Sequence, residues 1–129
     1  MFAKSSFIFF LYKMRNDKEN IIVEKTFNLA LEIIKLSESL NNNKQYILAK
    51  QLFKSGTSIG ANVREAQNAE SRSDFIHKMK IAAKESEETE FWLQILERLG
   101  YTVKVILNDC NEIQLILSKI ISTSKKIRP

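Results

Sequence analysis

The chain has 129 residues, of which 44% are hydrophobic and 27% charged, a balance typical of one soluble globular domain and not of a disordered chain. Three glycines and one proline are too few for the turns of a β-rich fold of this length, so we expect an all-α fold of a few long helices. One cysteine excludes an internal disulfide, and with one histidine it leaves little for a transition-metal site, so we expect no metal or other cofactor.

The formal net charge of +5 comes entirely from the two ends of the chain. Residues 21–100 hold eleven cations and eleven anions, whereas residues 1–20 contribute +2 and residues 101–129 contribute +3. The candidate nucleic-acid-binding residues are Lys104, Lys119, Lys125, Lys126 and Arg128. These cations form either a solvated basic tail or a patch that binds phosphate groups, and oligomerisation would multiply such a patch.

Residues 1–19 are interpreted as a poorly ordered N-terminal extension, followed by a helical domain over residues 20–129. The apolar run from Phe7 to Tyr12 is six residues long, whereas a helix needs roughly 20 to span a bilayer. No small-x-small cleavage site follows this run, so a signal peptide is not indicated. Met14 is an alternative start of the natural chain. We therefore expect no membrane partner.

Apolar periodicity predicts four helices, over residues 20–40, 45–69, 73–99 and 102–126. Short links between segments of this length favour an antiparallel up-down-up-down four-helix bundle. The expected core seams of the last three helices are Leu48, Leu52, Ser55, Ile59, Asn62 and Ala66; Phe75, Met79, Ala82, Ser86, Thr89, Leu93 and Leu96; and Val103, Ile106, Cys110, Ile113, Leu117, Ile120 and Ser124. The first helix has two apolar stripes, one on Phe27, Leu31 and Ile34 and one on Leu29, Ile33, Leu36 and Leu40, which is more apolar surface than one bundle contact requires.

The second helix contains an unusual small-residue motif that includes Gly56, Ser58, Ile59, Gly60 and Asn62. Glycines four residues apart lie on one helix face, and their cost of about 1 kcal/mol each in a helix interior is offset where another backbone packs closely. The motif predicts a close helix crossing, either inside the bundle or between subunits. A phosphate-binding loop is disfavoured because no Gly-Lys-Ser/Thr ending and no preceding strand are present. Asn62 lies on or near the seam, where a buried amide would fix the helix register.

No constellation of catalytic residues is evident, so we expect a protein that is not an enzyme. Asp74 and His77 have the spacing of a di-iron ligand pair, but the chain has no second histidine, and a helix-capping Asp74 with an exposed His77 is favoured. Cys110 falls on a core seam, where a reduced thiol acts as a small apolar residue. A Cys110–His77 nucleophile pair stays open, without a residue to orient the histidine.

Two runs of opposite charge lie along the second and third helices. The basic run is Lys44, Lys50, Lys54 and Arg64, and the acidic run is Glu85, Glu87, Glu88, Glu90 and Glu97. If these helices form an antiparallel hairpin, Lys54 lies beside Glu88 and Glu90, and Lys50 lies nearer Glu97. We therefore expect the two runs to neutralise each other within one chain, each exposed pair contributing less than about 1 kcal/mol.

The third helix has a second apolar surface. On a helical wheel Phe91 and Ile95 point away from Leu93 and Leu96, and Trp92 lies between the two faces. A bundle helix needs one buried face, so this additional surface predicts a neighbouring molecule. A homo-oligomer is the favoured interpretation.

Several of these motifs together resemble the four-helix bundle proteins known as 23S rRNA intervening-sequence proteins. The residues that carry the resemblance are Phe27-x-x-Ala30, Lys50-Gln-Leu-Phe-Lys-Ser-Gly-Thr-Ser-Ile-Gly-Ala-Asn62, Glu65-Ala66, Asp74-Phe-Ile76, Ile81-Ala82, Lys84-Glu85 and Trp92-Leu93. Many members have proline at the position of Gly60, so this chain resembles the glycine-bearing branch. The resemblance implies an up-down bundle, a homopentamer and a bacterial, cytoplasmic setting.

The same resemblance implies a link to nucleic acid but no catalytic residues. Some members are encoded inside insertions of the large ribosomal RNA gene, and the similar accessory proteins of diversity-generating retroelements bind nucleic acid and a reverse transcriptase. The favoured function is a non-enzymatic homo-oligomer that binds RNA or DNA through its basic ends, largely without sequence preference. The alternative is a scaffold that binds a protein partner through apolar helix surfaces and makes no direct contact with nucleic acid.

Overall fold

The computed structural model describes residues 20–126, and this part of the chain forms four α-helices and no strand. The helices are α1 (Ile21–Asn42), α2 (Tyr46–Ala66), α3 (Arg72–Arg98) and α4 (Lys104–Lys126). Each helix packs against the next, and α1 also contacts α4, which closes a four-helix bundle. The predicted all-α bundle is confirmed. The predictions for residues 1–19 and for Arg128 lie outside the described residues.

The short links between the helices have local causes. Lys44 adopts a left-handed conformation with φ of 63°, which turns the chain between α1 and α2. Ser71 begins α3, because its hydroxyl accepts a hydrogen bond from the backbone N–H of Asp74 at 3.0 Å. Gly100, with φ of 95°, follows α3 in a conformation that a side chain would strain.

Helix α2 ends at Ala66, three residues before the predicted Ala69. The backbone N–H groups of Gln67, Asn68 and Ala69 each bond to the carbonyl three residues earlier, so the chain tightens into a turn. The Gln67 side chain donates to the Val63 carbonyl at 3.0 Å and accepts from Asn20 Nδ2 at 3.0 Å. This amide therefore ends α2 and joins it to the beginning of α1.

The core lies along the bundle axis and contains the α3 seam as the sequence predicts it. In α4 the predicted Val103, Cys110, Ile113, Leu117 and Ser124 are buried, and the two remaining isoleucines pack against the core while partly exposed. In α2 the predicted seam omits Ala49 and Val63, which are buried. The predicted Leu48 packs against the core while partly exposed, and the predicted Asn62 is half-buried. The reason is that α1 packs against the face of α2 that carries Gly56 and Gly60, and with α2 in this orientation Ala49 and Val63 face the core.

None of these four helices is both long and apolar enough to cross a membrane.

Candidate interaction surfaces

The small-residue motif of α2 lies in the contact with α1. A Cβ atom built on Gly56 would lie 2.7 Å from Ile33 Cγ2, and one on Gly60 would lie 3.3 Å from the Thr26 carbonyl oxygen. These distances leave no room for a methyl group at Gly56 and little at Gly60. The close crossing that the glycines predict is therefore formed inside the bundle, between α1 and α2.

The polar side chains of the same motif bond to their own helix. Ser58 Oγ donates to the Lys54 carbonyl at 2.6 Å, and Asn62 Nδ2 donates to the Ser58 carbonyl at 2.8 Å. Asn62 thus satisfies its amide locally, so the expectation that it fixes register from a buried seam position is wrong. Ile59 is fully buried in the core.

The second apolar surface of α3 is present as predicted, and we call Phe91, Ile95 and Leu99 the α3 ridge. Phe91 is 55% exposed and Leu99 61% exposed, while Ile95 is half-buried. These residues border a shallow groove of about 420 Å³. Trp92 packs partly against the core, and its ring meets the Phe91 ring edge to face at 5.1 Å between centroids.

A second groove, which the sequence analysis did not find, lies between α1 and α2 and has a volume of about 450 Å³. We call it the α1–α2 groove, and its rim carries Tyr46, Lys50, Phe53 and Lys54. Tyr46 is 61% exposed and Phe53 46% exposed. The i, i+4, i+7 spacing of Tyr46, Lys50 and Phe53 is the signal that could have indicated this face.

The outer stripe of α1 continues the apolar surface beside this groove. Phe27 and Leu31 are about half exposed, whereas the other α1 stripe is largely buried. The guanidinium of Arg64, from α2, lies 5.3 Å from the centroid of the Phe27 ring, a cation–π contact. One of the two predicted α1 stripes is therefore core, and the other is available to a partner.

The basic residues of the C-terminal segment do not form one cluster. Lys104 begins α4, whereas Lys125 and Lys126 end it, so they lie about 32 Å apart along a helix that rises 1.5 Å per residue. Lys119 and Lys126 are exposed one heptad apart on α4. Lys104 is therefore separate from the other candidate phosphate-binding residues.

The structure adds Lys80 to this basic end of the bundle. The positive charge of Lys80 lowers the pKa of the Lys125 ammonium from 10.5. Lys80 on α3 and Lys125 on α4 are therefore neighbours at the bundle surface, where both are exposed. Sequence reasoning missed Lys80 because it lies within a segment whose charges balance.

Within the described residues no ion pair joins the two opposite charge runs. The ion pairs in the described part of the chain are Lys25–Glu112, at 2.8 Å, and Lys78–Glu65, at 3.8 Å. The predicted pairing of Lys54 with Glu88 and Glu90 is therefore wrong.

Around Glu85, burial and the nearby Glu88 charge raise the carboxyl pKa, while Lys84 and, at longer range, Lys54 oppose this shift. The acids of α3 consequently remain a surplus of negative charge on that side of the bundle.

The residues considered for catalysis, Cys110 and His77, are not in environments that would make their side chains reactive. Cys110 is fully buried, and burial raises the pKa of its thiol to about 12, so the thiol is protonated at neutral pH. His77 is exposed, and the Asp74 carboxylate accepts from the Glu70 N–H at the start of α3. Within residues 20–126 no three His, Cys, Asp or Glu side chains are grouped to hold a metal ion.

The contact between α1 and α4 contains a pair of carboxyl groups. Burial raises the pKa of Glu32 to about 6, and a hydrogen bond with Asp109 and the charge of Asp109 act in the same direction. These two residues border a polar cavity of about 200 Å³, next to the Lys25–Glu112 ion pair. Like charges held this close make the α1–α4 contact sensitive to protonation.

Comparison with known proteins identifies the family. A crystal structure of a protein of unknown function from the S23 ribosomal protein family of Bacteroides thetaiotaomicron is similar to this chain, with 44% identity and a TM-score of 0.75 over 78% of this chain and 98% of that chain. No curated protein matches. The profile of the 23S rRNA-intervening sequence proteins matches residues 18–122. This chain therefore belongs to the 23S rRNA-intervening sequence protein family.

Proposed function

We propose that this protein is a non-enzymatic homo-oligomer that binds RNA, or another polyanion, through its basic end in the bacterial cytoplasm. The observation that carries the proposal is the group of exposed lysines at this end of the bundle, where Lys80 lies close enough to Lys125 for its charge to lower the pKa of that ammonium. A phosphate group between the two ammonium groups would turn this repulsion into two attractions. Exposed Lys119 and Lys126 extend the same surface along α4.

The family supports RNA as the polyanion, because its members are described as 23S rRNA-intervening sequence proteins. Lysine contacts to phosphate are independent of base identity, so we expect binding with little sequence preference and with steep salt dependence. The buried, protonated Cys110 and the exposed His77 support a binding role over catalysis.

The amount of apolar surface that remains exposed to solvent on one chain supports a homo-oligomer. The α3 ridge and the outer α1 stripe contain several large hydrophobic side chains that are about half exposed. Contiguous apolar surface of this kind marks protein–protein contacts in soluble proteins. The resemblance to the family implies five copies.

The test is an anisotropy titration of a labelled single-stranded RNA at several salt concentrations. Binding should weaken as salt rises, and Lys80→Ala combined with Lys125→Ala should reduce the magnitude of the slope of log K against log salt by about 1.4, since each phosphate contact to a single strand contributes about 0.7. Lys35→Ala is the matched control, because Lys35 is an exposed lysine on α1 outside the candidate nucleic-acid-binding residues, and this variant should keep the native slope. An absence of RNA binding at low salt would remove this proposal.

A protein-binding scaffold is the second candidate function, favoured by the 420 Å³ groove along the α3 ridge. Native mass spectrometry of protein purified with and without nuclease separates the two functions. A bound polymer that nuclease removes supports the RNA-binding function. A defined second protein that survives nuclease supports the scaffold.

A further inference from the structure

We propose that the α1–α2 groove of one copy holds the α3 ridge of a second copy, so that copies of this chain join head to tail. The inference rests on the homo-oligomer of the proposed function and adds which two surfaces meet. Two observations support it: both surfaces are apolar, and their flanking charges are opposite.

The apolar parts of the two surfaces match. The groove has a volume of about 450 Å³, and Tyr46 and Phe53 stand exposed on its rim. The ridge presents Phe91 and Leu99, each more than half exposed, with Ile95 between them along the helix. Seating the ridge in the groove would remove these aromatic and aliphatic side chains from water together.

The charges of the two surfaces are opposite. Lys50 and Lys54 are exposed on the rim of the groove, and no acidic residue is among those that line it. Glu87 and Glu88 are exposed one helical turn before Phe91, so they flank one end of the ridge. Glu97 and Arg98, which line the groove along the ridge, carry opposite charges and balance each other. Neither lysine is within ion-pair distance of an acid in its own chain, as the two ion pairs of the described residues lie elsewhere. Within one chain the Lys54 charge acts on Glu85 without forming an ion pair, so the exposed Lys50 and Lys54 can still pair with Glu87 and Glu88 of another copy.

This complementarity favours a second copy over a polynucleotide as the occupant of the groove. A polynucleotide would meet Lys50 and Lys54 but would leave the acidic, apolar α3 ridge uncovered. A second copy covers both surfaces with one type of contact. Glu87 and Glu88 also oppose a two-fold contact of ridge with ridge, because like charges would then face each other.

The groove and the ridge are different surfaces of one chain, so their contact is heterologous. Each copy uses its groove for one neighbour and its ridge for another. Such a contact closes into a ring when the rotation between neighbours completes a circle. The inference therefore predicts a ring of copies and not a two-fold dimer.

The test uses charge reversal on each surface, with the assembly mass measured by native mass spectrometry. A groove variant carries Lys50→Glu and Lys54→Glu, and a ridge variant carries Glu87→Lys and Glu88→Lys. Each variant alone should raise the dissociation constant of the assembly at least about tenfold. The two variants mixed should associate with each other more tightly than either variant associates with itself, because each reversed surface then meets an opposite one. A chain with all four reversals should regain the native mass.

The controls separate assembly from folding. Lys35→Glu reverses an exposed charge on α1 that lines neither the groove nor the ridge, and it should keep the native mass. Circular dichroism checks that each variant is helical. If the groove reversal does not fold, Lys50→Gln with Lys54→Gln replaces it, and this neutral pair should weaken assembly less than reversal but in the same direction.

Three results would overturn the inference. A native oligomer whose mass is unchanged in the groove variant contradicts it and leaves the proposed homo-oligomer standing. A groove variant that keeps its mass but loses affinity for RNA assigns the groove to a polynucleotide. A native chain that is monomeric overturns this inference together with the oligomeric part of the proposed function, while the RNA titration still tests the other part.

Discussion

At the scale of single residues, Gly56 shows how closely α1 and α2 are packed. A methyl group at this position would lie 2.7 and 2.8 Å from the Cγ atoms of Ile33, inside van der Waals contact. Gly56→Ala should therefore lower the free energy of unfolding by about 1–3 kcal/mol, although alanine is favoured over glycine in a helix by about 1 kcal/mol. Urea denaturation monitored by circular dichroism measures the change.

The control is to make Gly56→Ala in a chain that already carries Ile33→Ala. This second substitution removes the Cγ atoms that the new methyl group would meet. In that background Gly56→Ala should cost less or become stabilising, so the two substitutions should be coupled in a double-mutant cycle. Equal effects of Gly56→Ala in both backgrounds would mean that Ile33 does not limit the space.

The size of the side chains also explains why the core positions of α2 were not all predicted correctly. Ala49 is small, so an apolar stripe on α2 is drawn more easily through Leu48 than through Ala49. Large side chains dominate a periodicity, whereas close helix contacts use small ones. Asn62 could not be placed from sequence, because the bond that satisfies its amide goes to its own helix.

At the scale of helices, the start of α3 depends on one hydroxyl group. Ser71 Oγ accepts the Asp74 N–H at 3.0 Å, and Asp74 places a negative charge in the first turn. Ser71→Ala should lower the free energy of unfolding by about 1 kcal/mol. Ser73→Ala is the control, because Ser73 is an exposed serine inside the same first turn. Thermal denaturation compares the two, and equal losses would contradict a capping role for Ser71.

The α1–α4 contact should respond to pH through Glu32. Its pKa is about 6 in the folded chain and 4.5 in an unperturbed carboxyl group, so the folded state binds more protons between these values. The free energy of unfolding should therefore fall as pH rises from about 4.5 to about 6, and the stabilisation present below this range is lost above it.

Glu32→Gln tests this dependence. The amide keeps a hydrogen-bonding group and never ionises, so this variant should lose the decline over that pH range. At pH 7 it should be more stable than the native chain by less than about 1 kcal/mol, since solvent screens this partly exposed group. Glu38→Gln, on the exposed side of α1, should follow the native pH profile. Parallel profiles of the native and Glu32→Gln chains would rule out this role for Glu32.

At the same scale, α3 could be predicted from the sequence for two reasons. Its buried positions carry apolar or small residues at heptad spacing, and Ser71 and Gly100 mark where the helix begins and ends. The side chains of one helix cannot, however, indicate how far it lies from the next. The predicted Lys54–Glu88 and Lys54–Glu90 pairs fail for this reason, since adjacent helices brought the right segments together without bringing the charged atoms within ion-pair distance.

At the scale of the whole molecule, the bundle followed from the sequence, but the shapes of its surfaces did not. Periodicity predicts which side of each helix is buried, and it correctly leaves Phe91 outside the core. The α1–α2 groove and the proximity of Lys80 to Lys125 depend on two helices at once, so they emerge only when the helices are placed beside each other.

Assembly should make thermal stability depend on protein concentration. If copies join through the α3 ridge, the melting temperature of the native chain should rise with concentration, because association stabilises only the folded state. Phe91→Glu with Ile95→Glu should abolish this rise and give a lower melting temperature at high concentration, since each charge would be buried in the contact. Leu115→Glu is the control: Leu115 is 74% exposed on α4, away from the ridge, and its variant should keep the native dependence. Scanning calorimetry over a hundredfold range of concentration measures the effect, and a native melting temperature that stays constant over that range would show that the folded chain does not associate.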